Sequence, residues 1–128
     1  MTYLADASAL IVFFSSKEPE RVMRSAASIM REQQVGVLPT TVWEITRKVG
    51  LGKLPRVWEP WPSLAALLSD QNYRLQPFTW EDAEAANNLP DIHRDPMDRM
   101  LIAAALRADM TVITSDRTFR SYNVKTVW

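Results

Sequence analysis

Short strand-forming runs alternate with helix-length segments along the whole chain, and this alternation constrains the fold more than any other feature. Thr2 to Asp6 reads as a first strand and Val35 to Leu38 as a second. Tyr73 to Phe78 reads as an edge strand interrupted by Pro77, Thr111 to Thr114 as a fourth strand and Val124 to Val127 as a last one. Between them, Ala9 to Phe14 is a short buried helical run, and Pro19 to Arg31 places Val22, Ala26, Ile29 and Met30 on one stripe of an amphipathic helix. Thr41 and Glu44 have the spacing of a capping box that opens a helix toward Gly50 and Gly52. Ser63 to Ser69, Thr79 to Asn87, and Asp95 to Ala108 complete the helices. Hairpins need only a few connecting residues, whereas parallel neighbours need a crossover of helix length. The pattern therefore predicts an α/β fold with a parallel or mostly parallel sheet, helices on both faces and right-handed crossovers. In such sheets, sites form beyond the carboxyl ends of the strands.

The chain has 128 residues, 47% of them hydrophobic, which predicts a single domain over residues 1–128. Lys and Arg number 15, as do Asp and Glu, so the net charge is zero and any contact with RNA or DNA relies on a local patch. With no Cys and one His, disulfides, thiolate chemistry and ordinary zinc sites have almost no material. The apolar run Ala7 to Phe14 lacks a preceding basic region, has Asp6 beside it, and is too short to span a membrane. These features predict a soluble, cytoplasmic protein without a membrane partner.

The segment His93 to Ala105 puts two carboxylates at the mouth of an otherwise apolar helix. Asp95 can cap it, Pro96 suits its first position, and Asp98 falls in its first turn. Asp6 closes the first strand, Glu44 lies one turn into the helix after the second, and Asp116 follows the Thr111 to Thr114 strand. Each acid also has an ordinary use: turn residue for Asp6, capping-box acid paired with Lys48 for Glu44, helix cap for Asp95, first-turn or loop acid for Asp98 and Asp116. If the four converge, each close pair repels by roughly 4 kcal/mol at about 4 Å and an effective dielectric near 20. Raised pKa values, basic neighbours or a divalent ion would have to offset that. An all-oxygen ligand set selects Mg²⁺ or Mn²⁺, and metal-assisted phosphodiester hydrolysis is the chemistry it suits best.

These residues resemble the PIN domain family, and within it the VapC-like ribonuclease toxins of toxin–antitoxin systems. The resemblance runs nearly end to end: Tyr3 to Leu10, Trp43-Glu44-Ile45 with Gly52-Lys53-Leu54, His93 to Ala105, and Thr114-Ser115-Asp116. It implies a three-layer α/β/α domain that cleaves RNA with Mg²⁺ or Mn²⁺. By motif position, Asp6, Glu44, Asp98 and Asp116 carry over as the acidic quartet. Asp6 and Asp98 would be the most direct metal ligands, with Glu44 and Asp116 completing the shell, orienting water or holding a second ion. Thr114 or Ser115 would support that shell through a hydroxyl. Ser8 stands where the closest-looking subgroup often has histidine, which bears on subgroup placement and not on metal binding. The resemblance also implies homodimers, and a VapB-like antitoxin whose tail covers the acidic groove. DNA would be reached only through that antitoxin.

Arg47 and Lys48, three and four residues after Glu44, and Arg99, next to Asp98, are candidates for gripping RNA phosphates, with ordinary surface pairing as the alternative. Trp58 and Trp61 suit packing under their Pro-rich loop at least as well as base stacking. Three rival readings are a phosphatase-like metal-dependent hydrolase, a hydrolase built on Ser8 and His93, and a PIN-like binding module without activity. The first lacks a second acid two residues after Asp6, the second lacks a Gly-x-Ser-x-Gly elbow, and intact acids at all four positions speak against the third.

Overall fold

The computed structural model describes residues 2–128. Five strands, β1 (Tyr3–Ala5), β2 (Val35–Val37), β3 (Arg74–Leu75), β4 (Thr111–Ile113) and β5 (Thr126–Val127), form one sheet in the order β3-β2-β1-β4-β5. All neighbouring pairs are parallel. The helices are α1 (Ala7–Ser15), α2 (Pro19–Val22), α3 (Ala26–Glu32), α4 (Pro39–Gly50), α5 (Leu64–Asp70), α6 (Trp80–Asn88) and α7 (Pro96–Ala108), and a 3₁₀ helix spans Arg117–Tyr122. No described helix is long and apolar enough to cross a membrane.

The two-residue period of the strands divides the core into two layers. Ala5, Val35, Val37 and Ile113 face one cluster with Leu10 of α1, Met23, Ala27 of α3, Ile45 of α4 and Leu67 of α5. Leu4 and Val112 point the opposite way, against Ile102 and Ala105 of α7, Phe119 and Tyr122. Helices on both faces of a parallel sheet give the three-layer α/β/α arrangement. The chain builds outward from β1 through β2 to β3 and returns on the far side with β4 and β5. The direction reverses between β1 and β4, which opens a crevice at their carboxyl ends, where ligands bind in open α/β sheets.

Local chemistry explains most boundaries. Asp6 caps α1 by accepting from the Ala9 amide, Ser63 caps α5, and Asp95 caps α7 with Pro96 in its first turn. Thr79 and Asp82 form a full capping box on α6, and Asp82, wholly buried, also accepts from the Arg107 guanidinium of α7. Three expectations need correction. The helix expected over Pro19 to Arg31 is broken at residues 23–25, where the Ser25 amide donates to the Trp128 carbonyl at 3.1 Å. Its buried stripe is Met23, Ala26, Ala27 and Met30, while Val22 is exposed. The Thr41 capping box does not form, because α4 starts at Pro39 after an extended Leu38 with no side-chain cap. The edge strand shrinks to Arg74–Leu75, ending before Pro77.

Gly36 sits in β2 where a side chain would point into the α7 layer. A Cβ there would meet Met110 Cε at 3.3 Å, the Tyr3 carbonyl at 3.4 Å and Gln76 Cβ at 3.5 Å. The flexible methionine can yield to one methyl, but the β1 backbone cannot yield to a branched side chain. Gly36→Val is expected to lose about 1–3 kcal/mol in urea denaturation, and Gly36→Ala distinctly less.

Candidate metal centre and active site

The crevice between β1 and β4 holds the acids. A cleft of about 250 Å³ is lined by Asp6, Ser8, Glu44, Lys48, Asp95, Asp98, Ser115 and Asp116, among others. Each acid arrives on a different element: Asp6 directly after β1, Glu44 in the second turn of α4, Asp98 in the first turn of α7, and Asp116 after β4 at the start of the 3₁₀ helix. A second hollow of about 270 Å³ between α4, α5 and β3 is apolar, lined by Val42, Leu68 and Tyr73, and contains no carboxylate.

Asp6 is buried, and its Oδ1 accepts from the Ser8 hydroxyl at 2.7 Å and the Ala9 amide at 2.8 Å. Burial pushes its carboxyl above the ordinary value, and hydrogen bonds from Thr114, Ser8 and Ala9 only partly reverse the rise. Glu44 has a side chain 12% exposed, with Lys48 Nζ at 3.7 Å. Burial raises it as well, against the pull of Lys48 and with Asp95 and Asp6 adding to the rise. Asp98 is pushed up to about 7 by burial first and Asp95 second, with Glu44 and Asp6 contributing and His93 opposing. Asp116 differs: burial raises it, but hydrogen bonds from His93 and Thr118 outweigh burial and hold it below the ordinary carboxylate value.

His93 is the site residue that sequence reasoning passed over. Its Nε2 lies 2.8 Å from Asp116 Oδ2 and 3.0 Å from Asp98 Oδ2. Its Nδ1 accepts from the Asp95 amide at 3.2 Å, which puts the ring proton on Nε2, facing the two carboxylates. The sequence signal was present: the only histidine of the chain, two residues before a helix-capping acid. Its loop is braced from afar. The Tyr122 hydroxyl accepts from the Ile92 and His93 amides and donates to the Pro90 carbonyl at 2.9 Å. The Arg99 guanidinium donates to the carbonyls of Ala86, Leu89, Pro90 and His93 at 2.9–3.2 Å.

That commitment corrects the expected role of Arg99. It does not line the acid cleft, and its side chain, 14% exposed, positions the His93 loop. Arg47 is exposed on α4 and also lies outside the cleft lining. Lys48 and Ser115 line the cleft. Thr114 is buried, and its hydroxyl accepts from the Asp116 amide at 3.0 Å. Asp95 serves twice, capping α7 through the Met97 amide at 2.8 Å and facing the cleft. The Ser8 hydroxyl is engaged by Asp6 and the His93 ring by Asp98 and Asp116, so these two do not form a nucleophile–base pair.

The donor set fits a divalent cation. Carboxylate oxygens of Glu44, Asp95 and Asp98 lie within 4.8 Å of one another, as do donor atoms of His93, Asp98 and Asp116, with Asp98 common to both groups. Clustered, partly desolvated carboxylates with raised proton affinity are groups that a cation would relieve.

With this geometry in view, comparison with known proteins is direct. A family model, the PIN domain, matches residues 3–125. The chain belongs to the PIN domain family. The PIN fold also appears in solved structures. VapBC2 from Rickettsia felis, bound to a DNA fragment from its promoter, superposes with a TM-score of 0.71 at 14% identity, over 98% of this chain and 97% of that one. FitAB bound to an IR36 DNA fragment gives 0.67 at 21% identity, covering 98% and 93%. FitAcB from Neisseria gonorrhoeae gives 0.63 at 18% identity, covering 99% and 97%. No curated protein is a significant sequence match to this PIN domain.

Two predictions follow from the site's electrostatics and bracing. A carboxyl with a raised folded-state pKa holds its proton more tightly when folded, so its contribution to stability is complete below the unfolded value of 3.8 and is lost as pH rises toward 7. Asp116, shifted down, contributes with the opposite sign and loses its contribution as pH falls. In EDTA, the melting temperature of the protein relative to Asp98→Asn should therefore decline between about pH 4 and pH 7. Parallel curves for the two proteins would contradict this. Tyr122→Phe should cost about 1–3 kcal/mol in urea denaturation, because the His93 amide loses its partner and the Ile92 amide and Pro90 carbonyl each lose one of theirs.

Proposed function

We propose that this PIN domain is a divalent-metal-dependent endoribonuclease, the toxin of a toxin–antitoxin pair. The observation that carries the reading is the convergence of Asp6, Glu44, Asp98 and Asp116 in one cleft, with Asp98 pushed up to about 7. PIN domains are generally nucleases, and carboxyls gathered and partly desolvated in this way have little structural purpose without a cation. Mg²⁺ or Mn²⁺ is the fitting ion for an oxygen-rich set with one imidazole nearby. When bound, such an ion supplies Lewis acidity and a water more easily deprotonated than bulk water.

The protein's own residues do the rest. Asp6 and Asp98 would hold the ion, while Glu44 and Asp116 would complete the shell and orient the attacking water. Ser8 and Thr114 fix the Asp6 carboxylate through their hydroxyls. His93 holds Asp98 and Asp116 in register from the side opposite its Asp95 contact. Lys48, near Glu44, supplies positive charge for a substrate phosphate, with Ser115 as a further polar contact. The water oxygen attacks phosphorus, the bond to the leaving ribose oxygen breaks, and that oxygen takes up a proton.

The proposed partner is a VapB-like antitoxin whose tail places a basic side chain among the carboxylates, neutralising the charge that the ion otherwise neutralises. Structural neighbours solved as VapBC and FitAB assemblies on DNA support such a partner, with DNA reached through the antitoxin. We further place the protein in the cytoplasm as a homodimer. The alternatives of an inactive binding module or a phosphatase-like hydrolase have no specific observation in their favour.

The test incubates antitoxin-free protein with total bacterial RNA in Mg²⁺ or Mn²⁺ against EDTA. Asp98→Asn should abolish cleavage, and Glu44→Gln should reduce it by at least roughly a hundredfold while leaving the melting temperature nearly unchanged, since Glu44 caps nothing. Undiminished cleavage by Asp98→Asn, free of host nucleases, would overturn the assignment.

A further inference from the structure

Next to the acid cleft lies a second, positively charged one. About 310 Å³ in volume, it is lined by Arg117, Arg120, Thr126 and Trp128 together with Thr114, Ser115 and Asp116. Ser115 and Asp116 line both clefts, so the two are contiguous. The fold determines how the arginines point. Asp116 caps the 3₁₀ helix by accepting from the Thr118 amide at 2.9 Å. A 3₁₀ helix has three residues per turn, and side chains at i and i+3 eclipse one another. Phe119 and Tyr122 accordingly form its buried edge, and Arg117 and Arg120 form an exposed one. Neither guanidinium has an ion-pair partner among the described residues, unlike Arg99 and Arg107. Trp128 is half-buried, packs in part against the core, accepts from the Ser25 amide through its carbonyl, and lines the same cleft.

We propose that this cleft is a strand-binding subsite, in which Arg117 and Arg120 hold phosphates of single-stranded RNA flanking the scissile bond and Trp128 stacks on a base. The inference rests on the ribonuclease reading above and deepens it. A polymer lying across the acid cleft must leave it on some side, and the Ser115–Asp116 wall leads directly to two unpaired guanidiniums and an indole. Positive side chains that track the backbone, combined with an aromatic face for the bases, are how single strands are gripped without sequence readout. A chain with zero net charge needs such a local patch, because it has no global field to draw RNA in. The acid cleft, in contrast, is lined by carboxylates, with Lys48 among them as a positive side chain.

The test measures binding of a short, fluorescein-labelled, mixed-sequence single-stranded RNA to the Asp98→Asn protein in Mg²⁺ across a salt series. Adding Arg117→Gln and Arg120→Gln is expected to weaken binding roughly tenfold and to reduce the slope of log affinity against log salt by about 1.4. Trp128→Leu, which keeps an apolar side chain against the core, is expected to weaken binding roughly five- to 150-fold, with Trp128→Phe restoring most of it. Melting curves show that each variant is folded. In protein with Asp98 intact, Arg117→Gln with Arg120→Gln should raise KM and leave kcat near its original value. Unchanged affinity and salt slope in the arginine variant overturn the proposal. So does failure of the Asp98→Asn protein to bind the RNA, or tighter arginine-dependent binding of polyglutamate than of RNA, which would make the cleft a site for an acidic protein segment. Arginine-dependent RNA binding without any metal-dependent cleavage by the unmutated protein would refute the nuclease and leave the subsite standing.

Discussion

Carboxylates withdrawn from bulk water and set beside one another are the constraint on which the rest of this structure turns. Water would separate and solvate them; the sheet instead delivers Asp6 and Asp116 from adjacent strands and encloses Glu44 and Asp98 from two helices. The response of each group shows how its surroundings cope. Asp6 is surrounded by donors yet still shifts upward, because burial outweighs three hydrogen bonds. Asp116 receives the His93 and Thr118 bonds and remains an easy anion. Asp98 receives the histidine but also faces Asp95, Glu44 and Asp6, and ends near 7. The cluster is therefore uneven, with one firmly ionised edge at Asp116 and a centre whose charge depends on what enters the cleft.

Holding such a centre open requires rigidity from outside it. The loop that presents His93 has no regular hydrogen bonding of its own, and its carbonyls and amides are taken up by Arg99 and Tyr122 instead. Arg99 rises from α7, the same helix that carries Asp98, and Tyr122 closes the 3₁₀ helix that Asp116 opens. The two elements that supply acids also supply the braces, so the imidazole and the carboxylates it touches are referenced to the same pieces of backbone. That arrangement keeps donor atoms of His93, Asp98 and Asp116 within 4.8 Å of one another.

The alternation of strands and helices was legible because strand ends, caps and apolar stripes are local signals, and Asp6, Asp98 and Asp116 each sit on one. Glu44 was singled out as an acid one turn into the helix after the second strand, with a capping box as its ordinary use; α4 begins at Pro39 and does not form that box, which leaves the carboxylate free of any capping duty. The break between α2 and α3 was not legible, since it depends on the Trp128 carbonyl, more than a hundred residues away, taking the Ser25 amide. His93 was weighed only as a partner of Ser8, and its bracing reaches it from Tyr122, about thirty residues on in the chain. Arg99 was misread through adjacency, because consecutive helical residues point about 100° apart and a neighbour of Asp98 need not share its cleft.

A neutral chain that handles a polyanion must separate its charges in space, and the fold does so along a single wall. The acids collect on one side of Ser115 and Asp116, and the guanidiniums of Arg117 and Arg120, without an ion-pair partner among the described residues, stand on the other. Two arginines of α7 are engaged elsewhere: Arg107 is bound to Asp82 and Arg99 to backbone carbonyls. At zero net charge the long-range field is weak, so attraction of a strand would act over about a Debye length, roughly 8 Å at physiological ionic strength. Within that range stand Lys48 in the acid cleft and, beside it, the arginines of the 3₁₀ helix, whose position is fixed by the Thr118 amide donating to the Asp116 carboxylate that caps it. On the proposed reading, the residue that closes the acidic site also sets the side from which a substrate strand would enter it.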